Sequence, residues 1–352
     1  MYKTFQYRIK DSTSSKYLIK MAHSVNSVWN FCNETQKFAL KHPRKWPSAF
    51  DLDKLTSGSS KELGINSTTI QCISAEYVTR RKQFKKNSLS WRSNKKSLVW
   101  IPFKAGGISF DREAGIATYS KLKLKLFYSR PLEGRICSGS ITADARGRFY
   151  LNVVCEIPDF IGPTNLSNDV GIDLGLKDLL TTSDSQSVGA KRYYRKMEKQ
   201  LAKAQQAKKK KLIRKIHAKI ANQRKDFNHK ISKELTDKYS VLYVGDVSSK
   251  ELIKKPNLAK SVNDASWFQL KTFLSYKALA KGGFVRVVNE RYSTQTCSEC
   301  GCIPKTSPKG VNGLNIREWT CCDCGTHHMR DVNAARNILS SGRRTLQRLS
   351  SN

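Results

Sequence analysis

The 352-residue chain holds 64 Lys and Arg against 28 Asp and Glu, a formal net charge of +36. A surplus of that size repels itself unless a polyanion neutralises it, so nucleic acid is the leading partner and an anionic membrane the weaker rival. No run of about 18 apolar residues is available to span a bilayer. Met1–Tyr7 alternates like a strand, not like a signal peptide, so the expected compartment is the cytoplasm of a prokaryote, beside the nucleoid. A hydrophobic content of 39% and this length predict a folded protein of two or three domains.

In chain order, Tyr2, Phe5, Tyr7 and Ile9 alternate with polar residues and predict a first strand over 1–10. Leu18, Met21, Ala22, Val25, Val28, Trp29 and Cys32 follow helical spacing from Ser15 to about Leu40. A second helix is expected over 67–84, with Ile70, Ile73, Ala75 and Tyr77 inside. Arg80, Arg81, Lys82 and Lys85 cluster at its end. Basic residues there suit the helix dipole. With Trp91, Arg92 and Trp100 following, they also suit a nucleic-acid face. From Leu98 to Ile157, five short β-type runs separated by Gly and Pro predict an all-β module, a small barrel that the first strand can join. Residues 158–168 read as a linker.

A new domain then opens with Asp169–Leu176 and a hairpin partner, Asp178–Asp184. Residues 191–225 hold fifteen Lys and Arg, among them Lys208, Lys209, Lys210 and Lys211, against the single acid Glu198. One-signed charge beside a narrow apolar stripe predicts a helix that contacts a phosphate backbone. Tyr239–Asp246 is a buried-type strand, Ser261–Ala280 an amphipathic helix, and Phe284–Asn289 another strand. The polar tail beyond Ser340 is expected to fray.

Six of the ten cysteines lie between Cys297 and Cys324. In a basic chain without a signal peptide, such clustering indicates metal binding, not disulfides. Cys297-x-x-Cys300-Gly and Cys321-x-x-Cys324-Gly are two knuckles whose thiolates can each face one ion, and together they complete a closed, structural Zn²⁺ site. Cys32, Cys72, Cys137 and Cys155 sit in apolar surroundings and read as inert.

Asp173 lies inside an apolar strand, where a carboxylate must be paired, protonated or metal-bound. Asp331 opens a small-residue helix, where a helix cap is the bland alternative to a catalytic role. An Asp on a first central strand and an Asp on a last helix match the layout of an RNase H-like nuclease, whose clustered carboxylates hold two Mg²⁺.

Gly171-Ile172-Asp173-Leu174-Gly175, the two Cys-x-x-Cys-Gly knuckles and Arg330-Asp331-x-Asn333-Ala334-Ala335-Arg336-Asn337 together resemble the TnpB (OrfB) family of transposon-encoded RNA-guided nucleases, relatives of type V CRISPR effectors. The resemblance implies a multidomain α+β fold. It comprises a wedge β-barrel (1–14 and 93–160) with an inserted helical recognition lobe (15–92). An RNase H-like RuvC α/β domain (169–295 and 326–342) follows, interrupted by a zinc-binding target-strand loading module (296–325), and a polar tail (343–352) ends the chain. It also implies a guide RNA from the transposon end and a double-stranded DNA target beside a short adjacent motif. One departure matters. The family's second acid is a Glu followed by Asp at the end of the fourth strand, and here that strand ends Gly245-Asp246. Glu290, at the end of the neighbouring strand, is favoured over Asp246 as the replacement, and either over an inactive site. The expected catalytic set is therefore Asp173, Glu290 and Asp331. The alternative is a guided DNA-binding regulator without nuclease activity.

Overall fold

The computed structural model describes residues 1–10, 14–42, 45–159, 168–309 and 312–350. Most of the expected 158–168 linker lies outside them. The chain divides into two compact units, Met1–Pro158 and Asp159–Asn352.

The first unit contains β1 (Tyr2–Ile9), α1 (Ser14–Lys41), α2 (Ala49–Leu55), α3 (Ser60–Leu63), α4 (Ser67–Gln83), β2 (Trp100–Lys104), β3 (Ile108–Asp111), β4 (Ile116–Tyr119), β5 (Leu122–Phe127), β6 (Arg135–Ala143) and β7 (Phe149–Glu156). Its seven strands run in the order β2-β6-β7-β1-β5-β4-β3. β1 pairs with both β7 and β5, so the first strand does join the module, with the helices inserted after it. Among the described residues no ladder joins β2 to β3, so the sheet has two ends where a closed barrel was expected. Phe5, Tyr7 and Ile9 alternate into one core, shared with Leu18, Val25 and Trp29 of α1 and Ile70, Ile73 and Tyr77 of α4. Trp29 meets Tyr77 edge to face at 5.3 Å.

Two expectations for α4 are corrected. Ser74 faces the core and Ala75 faces out. Arg81 is buried, bonded to the Gln36 side chain and the Pro47 carbonyl, with its guanidinium 5.1 Å over the Trp46 ring. It lies four residues after Tyr77, so the helical period carries it onto the core face. Arg81 is thus a packing residue, whereas Arg80, Lys82 and Lys85 are exposed.

The second unit contains β8 (Asp169–Leu174), β9 (Asp178–Thr182), β10 (Ser187–Gly189), α5 (Tyr193–Gln206), α6 (Lys210–Lys238), β11 (Val241–Gly245), α7 (Ser249–Ile253), α8 (Pro256–Ala265), α9 (Trp267–Leu279), β12 (Phe284–Val288), β13 (Glu318–Thr320), β14 (His327–Met329) and α10 (Arg330–Ser350). The main sheet runs β10-β9-β8-β11-β12. β8, β11 and β12 are parallel, and β9 and β10 add an antiparallel meander. Side-chain alternation sorts the two faces. Val170, Ile172, Leu242 and Val244 pack on Leu235 of α6 and on Trp267, Leu270 and Leu274 of α9. Val241, Tyr243 and Val288 pack on Ile338 of α10. Gly171 makes that second contact close, because a Cβ there would lie 2.0 Å from the Ala335 carbonyl.

The basic segment is two helices, not one. Leu201 and Ala204 of α5 pack on Ile216 and Ile220 of α6, so the apolar stripe is consumed within the pair. Lys208, in the left-handed region at φ +49°, turns the chain between them. The tail does not fray at Ser340. α10 continues to Ser350 because Leu346 packs against the Tyr243 cluster and Arg343 grips Asp169 through two bonds of 2.6 and 2.7 Å.

Asp184, in the β9–β10 turn, contributes to stability. Burial would raise its pKa, but bonds from Lys238 (2.7 Å), Thr182 and Tyr239 hold it down to about 2. A depressed carboxylate pKa stabilises the fold above the unfolded value near 4, and that stability is lost as pH falls toward 2. Asp184→Asn is expected to cost about 1 kcal/mol at pH 7 once the exposure of the carboxylate is discounted. Thermal melts should show a loss of about 2–4 °C. The gap from wild type should close as the pH approaches 2, and a gap that stays constant would refute this role.

Candidate active site and four-cysteine centre

The parallel strands bring the acids to one end of the sheet and to one face of it. Asp173 is two residues beyond Gly171, and Gly245 two beyond Tyr243, so both lie on the α10 side. Glu290 follows Val288 by two residues on that side as well. Gly245 pairs with Val288 in the ladder, which places Glu290 just past the end of β11. Asp331 stands in the first turn of α10. Such positions beyond the carboxyl ends of parallel strands are where open α/β sheets hold their ligands.

Asp173 lies within electrostatic reach of both Glu290 and Asp331. Burial pushes the Asp173 carboxyl up to about 7, helped by the negative charges of Glu290 and Asp331, with Arg330 opposing. Glu290 is also raised, first by burial and then by Asp246, with Lys271 and the Val247 amide opposing. Its Oε2 atom is buried with no hydrogen-bond partner. A Cβ on residue 245 would lie 2.2 Å from that oxygen. The glycine thus leaves open the space that the Glu290 carboxylate fills. The acids converge without touching. Among the described residues, the only three or more Cys, His, Asp or Glu ligand atoms within 4.8 Å of one another are the cysteine thiols. Asp246 is exposed and accepts the Glu290 amide N–H at 3.2 Å. Asp331 forms an ion pair with Arg317 at 3.3 Å.

Sequence reasoning missed Lys271. Its ammonium donates to the Gly245 carbonyl at 2.6 Å, and burial lowers its pKa against the pull of Glu290 and Asp246. One lysine on an amphipathic helix gave no signal, because only the tertiary fold turns it toward the acids.

The structure brings Cys297, Cys300, Cys321 and Cys324 together. Sulfur–sulfur distances of 3.6 Å (Cys297–Cys324) and 3.8 Å (Cys300–Cys321) match the edge of about 3.8 Å for a tetrahedron with metal–sulfur bonds of about 2.3 Å. Gly301 and Gly325, at φ +79° and +75°, each donate back to the first cysteine of their knuckle at 2.9 Å. The donor set therefore suits a metal such as zinc. Cys302 and Cys322 lie outside the cluster and are exposed. His328 was a second omission. It is buried, with Nε2 3.0 Å from the Cys297 thiol and its ring against Trp319. Lys208, Lys209, Lys210 and Lys211 are all exposed at the α5–α6 turn.

Residues 152–255 match a family model described as "Probable transposase" (OrfB_IS605), and residues 267–338 match one described as "Cas12f1-like, TNB domain". The TnpB-like protein L79 of Acanthamoeba polyphaga mimivirus is 30% identical over 62% of this chain and 46% of its own length. A Streptomyces pristinaespiralis protein named "Putative RNA-guided DNA endonuclease" is 32% identical over 85% of this chain and 75% of its own length. The chain belongs to the TnpB (OrfB) family. Among solved structures, this TnpB-family chain resembles one in a cryo-EM Cas12f1–sgRNA–target DNA complex. The TM-score is 0.60 and the identity 12%, covering 96% of this chain and 98% of that one, a likeness of fold.

Proposed function

We propose that this protein is an RNA-guided DNA endonuclease of a transposon, in which Glu290 replaces the acid that Gly245 lacks. The observation that carries this reading is the buried, unpartnered Glu290 Oε2 lying where a side chain at 245 would begin. The family membership and the names of the relatives support the activity class. Asp173, Glu290 and Asp331 would hold two Mg²⁺, which when bound activate a water and stabilise charge on the phosphate. An unpartnered oxygen and a carboxyl raised by burial and by like charges are what a cation would relieve. Lys271 holds the β11 end through the Gly245 carbonyl and offsets the crowded negative charge. The four thiols would hold one structural Zn²⁺. The guide RNA would come from the transposon end, and the target duplex would be selected beside a short motif.

The test is to purify the protein with its RNA, sequence that RNA, and supply DNA matched to it. Mg²⁺-dependent cutting is expected. Binding without cutting in any divalent ion would sink the nuclease reading and leave a guided DNA-binding regulator. Matched DNA that is neither bound nor cut would sink both.

Neutralising Lys208, Lys209, Lys210 and Lys211 to alanine should weaken RNA binding about tenfold or more near physiological salt. It should also flatten the salt dependence by about three charges. All four are exposed, so the melting temperature should hold. Filter binding across a salt series reads both effects, and an unchanged slope would remove this turn from the RNA face.

A further inference from the structure

We propose that Asn333 and Asn337 are positioning residues that clamp the segment between Glu290 and the first cysteine knuckle onto the helix bearing Asp331. His328 ties the same unit to the thiol cluster. This rests on the reading of Glu290 and Asp331 as one ion-binding site and of the thiols as a zinc site.

The residues from 291 to 300 form neither strand nor regular helix, so their backbone groups need partners from elsewhere. Two amides supply them. Asn333 is almost fully buried and uses both ends of its side chain. Its oxygen accepts the Ser298 N–H at 2.9 Å, inside the Cys297–Cys300 knuckle. Its nitrogen donates to the Ser293 and Thr296 carbonyls at 3.3 and 2.8 Å. Asn337, one helical turn later on the same face, donates to the same two carbonyls at 2.8 and 2.6 Å.

The placement of these bonds matters. The clamped segment starts three residues after Glu290, whose carbonyl accepts the Ser293 N–H at 3.0 Å, and it ends within the knuckle. The clamping residues start two positions after Asp331. On the other side of Asp331, three residues earlier, His328 reaches the Cys297 sulfur. An imidazole N–H given to a metal-bound thiolate orients and retains that ligand. Asp331 is therefore bracketed by two ties to the cysteine centre, and Glu290 is joined to the same ties. Distortion of the thiol site must pass to both acids, and coupling of this kind runs in both directions.

Only a side chain that both donates and accepts can serve here. Asn333→Asp keeps the shape but cannot donate to the two carbonyls when ionised. Asn337→Ala, at a less buried position, removes two bonds and leaves the Asn333 set intact, so it serves if the Asn333 variant fails to fold.

Two measurements on the full-length protein decide the matter. One is the rate of Zn²⁺ release to a chromophoric chelator. The other is Mn²⁺ affinity by electron paramagnetic resonance, with Glu290→Gln marking which Mn²⁺ belongs to the acid cluster. Asn337→Ala and Asn333→Asp are expected to release zinc about tenfold faster and to bind Mn²⁺ about tenfold more weakly. Cleavage should recover at high Mn²⁺. His328→Gln should show the same two changes. Unaltered zinc release in the folded Asn variants would overturn the clamp. Faster release with unaltered Mn²⁺ affinity would overturn its coupling to the acids. Faster release in a protein whose wild type binds no Glu290-dependent Mn²⁺ would overturn the nuclease reading and leave the clamp on the knuckle standing.

Discussion

Gly245→Ala is expected to lower cleavage almost as far as Glu290→Gln, although it adds one methyl group and touches no charge. The Cβ would come within 2.2 Å of Glu290 Oε2 and within 3.3 Å of Ile338. Ile338 sits in the core between α10 and the sheet, whereas the Glu290 contact is the free end of a flexible side chain two residues past β12. The carboxylate is therefore the group that yields, and it must leave the gap at Gly245. Displacing a side-chain end costs little stability. The loss of cleavage should be larger, at least about 100-fold for either variant, because a displaced group no longer acts on the transition state. DNA binding by the ribonucleoprotein should be unchanged in both. A double variant, Gly245→Glu with Glu290→Gly, restores an acid on the neighbouring strand and clears the space around it, so it should recover part of the activity that each single variant lacks. Full activity in Glu290→Gln would exclude Glu290 and make Asp246 the residue to test next. Full activity in Gly245→Ala alone would show that Glu290 works from somewhere other than the gap at Gly245.

Glu290 also marks how much of the site is legible in the sequence. Strand existence was legible where one face is buried, as in Phe5, Tyr7 and Ile9, because period-2 patterning follows from the pleat. The placement of β12 beside β11 came from the RNase H-like layout that the family resemblance implies, not from the residue pattern, and their parallel pairing sets which end of the sheet Glu290 reaches. The close packing of α10 was signalled by Ala334 and Ala335, although Gly171 as its counterpart was not. Charge was the poor guide. Arg81 looked like its exposed neighbours because composition does not register the 100° step that turns it inward. The stripe in 191–225 looked like one helix because its break at Lys208 carries no Gly or Pro. Lys271, His328 and the two clamping asparagines were invisible as site residues. Their partners lie 26 to 44 residues away in sequence, and only the fold brings them together.

Asp173→Asn is expected to abolish cleavage and at the same time to raise the stability of the Mg²⁺-free protein. The sign follows from the direction of the shift. The Asp173 carboxyl titrates near 7 in the folded chain against an ordinary value of 3.8. Between those values the folded state holds more protons than the unfolded one, so stability falls as pH rises. The full penalty is present above pH 7, where burial and the charges of Glu290 and Asp331 both oppose ionisation. At 1.36 kcal/mol per unit, the penalty is about 4 kcal/mol at most. Asparagine keeps the volume and removes the charge, so at pH 8 its melting temperature should exceed that of wild type by several degrees. The melts need a buffer free of Mg²⁺ but containing Zn²⁺, so that the thiol site is not stripped. The advantage should shrink toward zero as the pH drops to about 4, where the wild-type carboxyl is protonated. Adding Mg²⁺ at pH 8 should stabilise wild type and not the variant, since a cation that binds only the folded acids offsets their repulsion. The same titration predicts that wild-type cleavage at limiting Mg²⁺ rises with pH up to about 7 and then levels, because the ion competes with the proton on Asp173. If Asp173→Asn melts at or below wild type at pH 8, Asp173 is not a carboxyl held up by burial and by the charges of Glu290 and Asp331. The placement of Asp173 in a buried acidic site would then fail on a stability measurement alone, without reference to cleavage.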